Sequence, residues 1–250
     1  MPSPAMPARS TRPLLTYYDD ATGERTELSA PELAGWASRT ARLLGDGCGL
    51  GAGDRAAVLL PPHWQTAAVL FGAWSAGLMV SVRLAATAGL PVLGPGADDP
   101  IAVTFAARHR IDDWLDDVPD APHRFALATR GEAGTPPTGY RDFRAEVAGY
   151  EPVDEPALVR PDDAASVDGT TYREWGSLGH ATAEVLDLRA GDRVLVDAAE
   201  HEHPAYWLLA PLAVGATVVL CANLDPAAVA DRVAAEGVTR RLDPAAQATR

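Results

Sequence analysis

Apolar positions along the chain follow two periods in alternation. Leu33, Ala37, Thr40, Ala41 and Leu44 recur every three or four residues, the spacing of one helix face. Ala56 to Leu60 then run without a polar interruption, as strands buried on both faces of a parallel sheet do. Thr66 to Val82 carries no charge and approaches the ~18–20 residues that cross a bilayer. Gly77 breaks it, and β-branched residues cluster only after that glycine, so we expect a buried helix, a glycine cap and a buried strand.

The same series returns further on. Leu178, Ala181, Val185 and Leu186 outline a second amphipathic helix, Val194 to Val196 a second apolar strand, and Ala205 to Asn223 a helix and strand broken by Pro211 and Gly215. Leu50-Gly51-Ala52-Gly53-Asp54-Arg55 matches Leu188-Arg189-Ala190-Gly191-Asp192-Arg193 at an offset of 138, which also places His63 on His201 and Gly77 on Gly215. Upstream, Gly23 to Leu28 answers Asp168 to Tyr172. Each half therefore reads hairpin, helix, Gly-Asp-Arg turn, strand, helix, strand, an α/β arrangement with parallel sheets.

Local signals sharpen the boundaries. Ser29 with Glu32 forms a capping box before the first helix, and Asp225 with Pro226 opens a last one that leads to Gly237-Val238-Thr239. Pro91 to Gly94 and Ile101 to Thr104 read as further strands. Pro and Gly crowd residues 130–163. We expect a disordered leader over 1–15, a first α/β half over 16–129, a linker over 130–163 and a second half over 164–250.

Charge narrows the function. The 250 residues carry 34 acidic and 21 basic side chains, a net charge of −13, and every basic one is arginine. A chain without lysine has no Walker lysine, no pyridoxal Schiff base and no kinase strand lysine. The acidic balance argues against nucleic acid or an anionic membrane as partner. Two cysteines, Cys48 and Cys221, and an N-terminus without an apolar core point to a reducing, cytosolic setting.

The Gly-Asp-Arg strands, the helices ending in Ala-Gly or Gly-Ala, and Leu224 to Thr239 resemble the N-terminal part of the adenylate-forming superfamily, the acyl-CoA synthetases and peptide-synthetase adenylation domains. Thr26 to Leu33 is similar to that family's opening "TYxEL" motif and Leu70 to Gly77 to its second motif. The resemblance runs from about Thr16 to Leu242 and is to a half-length, truncated form. It implies two repeated Rossmann-like parallel-sheet halves with interleaved helices, and activation of a carboxylate by ATP to an acyl-adenylate.

The family's phosphate loop, "TSGTTGxPKG", has its nearest match in Ser166 to Glu174. Gly169, Thr170 and Thr171 are thus the nucleotide-binding candidates, for ATP or AMP with Mg²⁺. Tyr172 stands where the loop has glycine, and the Pro-Lys-Gly is missing. The repeat offers another account, a plain hairpin turn. The family's Mg²⁺ glutamate, ribose aspartate and C-terminal lysine have no counterpart in this sequence.

His201 and His203, with Trp207 beyond them, are the candidate lining of an acyl or ligand pocket, since the family places a histidine near this point. An HxH flanked by Glu200 and Glu202 could instead bind a metal ion. Asp112, Asp113, Asp116 and Asp117 read as a solvated acidic face rather than a Mg²⁺ site. No residue qualifies as catalytic. We expect a truncated, inactive ligand-binding or interaction module, with a homodimer or protein partner covering the truncated face. The alternatives are half of a split ligase completed by a partner chain, and a metal-dependent hydrolase using His201 and His203.

Overall fold

The computed structural model describes residues 13–87, 99–111, 118–153 and 159–242. In chain order its elements are β1 (Leu15–Asp19), β2 (Glu24–Leu28), α1 (Ala30–Arg42), β3 (Arg55–Leu59), α2 (Trp64–Ser75), β4 (Met79–Val82), β5 (Val103–Ala107), β6 (His123–Leu127), β7 (Arg141–Asp142), α3 (Phe143–Val147), α4 (Tyr172–Val185), β8 (Arg193–Asp197), α5 (Ala210–Ala213), β9 (Thr217–Ala222), α6 (Val229–Glu236) and β10 (Arg240–Arg241). Two compact, discontinuous units result. A terminal unit holds Met1–Pro31, Pro62–Trp64 and Glu174–Arg250; a central unit holds Glu32–Pro61 and Gln65–Arg173.

Each unit is built on a five-stranded sheet. The central sheet runs β4-β3-β5-β6-β7, all parallel. The terminal sheet runs β10-β8-β9-β1-β2, parallel except for the β1–β2 hairpin. Continuous apolar strands fit because both faces are covered. Leu195, Val219 and Cys221 pack beneath Val233 and Val238, and Phe105 stacks on Phe125 with ring centroids 5.3 Å apart.

The repeat holds at the level of single hydrogen bonds. Asp54 Oδ2 accepts from Gly51 N–H at 2.8 Å, and Asp192 Oδ2 accepts from Arg189 N–H at 2.8 Å. Gly53 donates to the Gly77 carbonyl as Gly191 does to that of Gly215. All four glycines have positive φ, between 75° and 90°, where a Cβ would be strained. Arg55 pairs in register with Met79 and Arg193 with Thr217, again 138 positions on.

Several sequence expectations need correction. The β1–β2 hairpin does not join the first half's sheet, because β1 pairs with β9 of the second. Reciprocally, the turn around Ser166 pairs with Val80 of β4. The unit boundaries therefore differ from 16–129 and 164–250. Leu14 and Leu15, placed in the leader, are buried. The expected linker contains β7 and α3, whose Phe143 and Val147 are fully buried. The strand near Ile101 begins at Val103. Leu178, Ala181 and Val185, expected in the core, are exposed, and α4 packs instead through Gly179, Thr182 and Ala183.

The helix from Ala205 starts as a widened turn over Ala205–Leu209, with the Ala210 N–H reaching the Ala205 carbonyl. Pro211 has no N–H to give Trp207, which breaks the regular ladder there. Asp225 caps the following helical segment as expected, accepting from Ala227 N–H at 2.9 Å. Pro91 to Gly94 and Asp112 to Asp117 lie outside the described residues. Among the described residues, no helix is long and apolar enough to cross a membrane.

Candidate functional site

The glycine-threonine turn lies in the central unit. Ala164 bridges Thr171 in antiparallel fashion, and Gly169, at φ 90°, turns the chain between them. Most of its backbone donors are already committed. Ala165 and Ser166 N–H both reach the Thr170 carbonyl, Gly169 donates to Ser166, and Tyr172 to Asp163. Thr170 N–H donates to the Asp168 carboxylate at 3.0 Å. A phosphate loop works by presenting free N–H groups to an anion. Here an aspartate already takes one of them, and its charge would repel phosphate.

Tyr172 fixes this turn. Its hydroxyl donates to the Trp74 carbonyl at 2.9 Å, and Trp74 Nε1 donates to the Ala165 carbonyl at 3.1 Å. Burial, with the Asp163 charge nearby, pushes the Tyr172 phenol up to about 12, so it stays a donor at neutral pH. The residues present do not fit a triphosphate.

The histidine candidates lie in the terminal unit, just after β8. His201 and Trp207 are buried, and Trp207 Nε1 donates to the Glu202 carbonyl at 3.2 Å. His203 is half-buried and stacks on Trp175 of α4, with centroids 5.7 Å apart and planes 11° from parallel. Tyr206 stands edge-on to His203 at 6.4 Å and lies 5.9 Å from His201. The structure thus gathers His201 and His203 with two aromatic rings into one cluster. The His203 Nδ1 accepts from Ala205 N–H at 3.2 Å, and burial lowers its pKa, so the ring is held neutral. Among the described residues, no group of three or more His, Cys, Asp or Glu comes together to hold a metal ion.

Sequence reasoning missed a second polar cluster in the terminal unit. His63, fully buried, lies 4.3 Å centroid to centroid from Tyr17, with its Nε2 3.8 Å from Glu24 Oε2. Trp64 Nε1 and the Thr26 hydroxyl donate to Glu24 Oε1, each at 3.0 Å. His63 first, then Trp64, hold the Glu24 carboxyl down to about 2 against its burial. His63 aligns with His201 in the repeat, a signal that was legible; its pairing with Glu24 was not.

A third cluster ties α6 to the sheet. Arg193, almost wholly buried, donates to Thr16, Thr217, the Pro13 carbonyl and Glu236. Glu236 also accepts from Tyr18 at 2.6 Å. Burial raises the Glu236 carboxyl, yet bonds from Tyr18, Arg193 and Arg25 outweigh it and hold the group below its usual value. Every charge here is answered within the protein, which marks a structural clamp.

No family model matches the chain. Among solved structures, an acyl-CoA synthetase of Brucella canis superposes with a TM-score of 0.70 and 22% identity, covering 94% of this chain and 45% of that one. The anthranilate CoA ligase AuaEII, in complex with anthranoyl-AMP, gives 0.64 and 19%, covering 92% and 45%. The N-terminal domain of FACL13 from Mycobacterium tuberculosis gives 0.61 and 20%, covering 91% and 58%. The chain thus has the fold of the N-terminal part of these enzymes and spans about half the length of the synthetases it matches. A TIGR03089 family protein of Mycobacterium tuberculosis is 37% identical over 244 residues, covering 96% of this chain and 95% of that protein, and the chain belongs to that family.

Proposed function

We propose that this protein is a catalytically inactive relative of the adenylating enzymes, one that keeps their scaffold as a ligand-binding or interaction module in the cytosol. The observation that carries the reading is the Ser166–Tyr172 turn, in which the Ser166, Gly169 and Tyr172 amides donate to nearby backbone carbonyls, Val167 to the Val80 carbonyl, and Thr170 to the Asp168 carboxylate. The missing lysine agrees with it, since electrostatic stabilisation of the transferring phosphoryl group supplies most of such a rate. Two free cysteines fit a reducing compartment.

The test is pyrophosphate exchange into ATP, with Mg²⁺ and a panel of aliphatic and aromatic carboxylates. Background exchange with every acid is the expected result. Acid-dependent exchange above background overturns the reading and points to an active ligase. Calorimetric titration with ATP, AMP and coenzyme A then separates the two halves of the proposal. A true ligand present at 100 times its Kd raises stability by ~2.7 kcal/mol.

A further inference from the structure

Among the described residues one carboxyl group and one guanidinium are almost wholly buried, and the chain treats them differently. Arg193, 2% exposed, donates to Thr16, Thr217, the Pro13 carbonyl and Glu236. Asp19, 1% exposed, has only one oxygen in use. Its Oδ1 accepts from Ala21 N–H at 2.9 Å and from Asn223 Nδ2 at 2.7 Å. Its Oδ2 is buried without a hydrogen-bond partner. A carboxyl oxygen shut away from both water and donors is costly to the fold, and stability alone gives no reason to keep it.

Small residues stand beside it. Asp19 ends β1, and strand alternation puts it on the face of Tyr17 and His63, away from Tyr18 and α6. Across the sheet its row reads Glu24, Asp19, Ala222 and then Ala198, whose N–H donates to the Cys221 carbonyl. The two alanines reach no further than their Cβ atoms. Ala222 is half-buried and the next residue, Asn223, is exposed, so the row meets solvent at this end. These are the carboxyl ends of the parallel strands β8, β9 and β1, the edge at which open α/β sheets hold their ligands. The hairpin's cations go elsewhere: Arg25 bonds Tyr18 and Glu236, and Arg232 bonds Asp20. Glu24, directly across from Asp19, adds a second carboxyl group, held by His63, Trp64 and Thr26.

We propose that Asp19, at the carboxyl end of β1 beside Ala222 and Ala198, anchors a site for a small primary amine, whose ammonium group donates to the unpartnered Asp19 Oδ2. This gives the ligand-binding role above a ligand class and rests on that reading. An ammonium is compact, carries three N–H donors and answers the acidic row, and a chain without lysine offers none from a side chain of its own. A divalent metal ion asks for more oxygen ligands, and among the described residues no group of three His, Cys, Asp or Glu supplies them. A net charge of −13 also draws cations to the protein.

The test titrates the full chain with propylammonium chloride at constant ionic strength, followed by amide NMR, with propan-1-ol as the uncharged counterpart. Saturable shifts centred on residues 18–24 and 221–223 are expected, with the amine bound at least about tenfold more tightly than the alcohol. Asp19→Asn keeps an acceptor for Ala21 and Asn223 but cannot carry the charge. It should weaken the amine at least about tenfold, while the melting temperature without ligand stays in place or rises. Ala222→Val fills the space beside the carboxyl group and should also weaken the amine; it carries the test if the first variant does not fold. Glu27→Gln removes the same charge from the opposite face of the hairpin and should bind as the parent does. An equal response to the alcohol, the absence of saturable shifts, or undiminished binding by Asp19→Asn overturns the proposal. So does calcium or magnesium chloride shifting the same amides at lower concentration than the amine, because the ligand is then a metal ion. None of these readouts depends on pyrophosphate exchange, so either reading can fail alone.

Discussion

A neutral imidazole that accepts a hydrogen bond through Nδ1 loses that bond when it is protonated there. His203 is so placed, with Ala205 N–H on its Nδ1, and burial lowers its pKa from 6.5. The unfolded chain then binds a proton before the folded one does. Stability from this group is complete above pH 6.5 and falls as pH drops through that value towards the folded pKa. Urea midpoints measured from pH 8 to 5 should show the decline, and His203→Gln should flatten it. Glu24 has the same sign in a lower window. Its carboxylate, at about 2 in the fold against 4.5 unfolded, contributes above pH 4.5 and is lost towards pH 2. After discounting for solvent screening, Glu24→Gln should cost about 1 kcal/mol at pH 7, a difference that closes at pH 2. Tyr172→Phe removes the bond to the Trp74 carbonyl and should cost a similar amount, about 1 kcal/mol, without creating affinity for ATP.

Between one helix and the next, glycines report how closely the elements approach. A Cβ at Gly72 of α2 would lie 2.4 Å from Thr40 Cβ and 2.9 Å from the Ala37 carbonyl oxygen, atoms of α1 that cannot swing away. Gly35, on α1 itself, has nothing within 4 Å of such a Cβ. Gly72→Ala should therefore destabilise by about 2 kcal/mol or more, whereas Gly35→Ala should stabilise by about 0.5–1 kcal/mol through helix propensity. Denaturant midpoints of the two variants decide it, and equal signs would contradict the packing described. Elements of this kind were legible in the sequence wherever the determinant was local. The Gly-Asp-Arg turns, the breaks at Gly77 and Gly215 and the Asp225 cap all rest on a few adjacent residues. The face of α4 was misread because Leu178, Ala181 and Val185 have core spacing, while the true contact uses Gly179, 3.3 Å from the Leu209 carbonyl were it given a Cβ. Small residues that admit close approach carry no hydropathy signal. The Glu24–His63 pair escaped for a different reason, since nothing local links a hairpin strand to the residue before a helix three elements later.

Connectivity and packing part company when the molecule is taken whole. The first hairpin completes the sheet of the second half, and the second hairpin turn extends the sheet of the first, so neither compact unit is a continuous stretch of chain. Local opening follows contacts and not sequence order, because amides in one sheet are released together when its ladder breaks. Leu15 through Asp19 each have a partner in β9, from Val218 to Ala222, and β9 in turn pairs with β8. Hydrogen exchange should therefore give β1 an opening free energy matching β8 and β9, distinct from that of α1, though α1 follows the hairpin directly. The amides of Val80 and Ala165 should move instead with β3. A polar variant placed in β8 supplies the perturbation: Val196→Thr should lower protection at Tyr17 and Leu220 alike and leave Phe105 unchanged. If protection instead changes together over residues 16–87 and separately over 164–242, the units follow the chain, and the exchange of hairpins contributes nothing to their cooperativity.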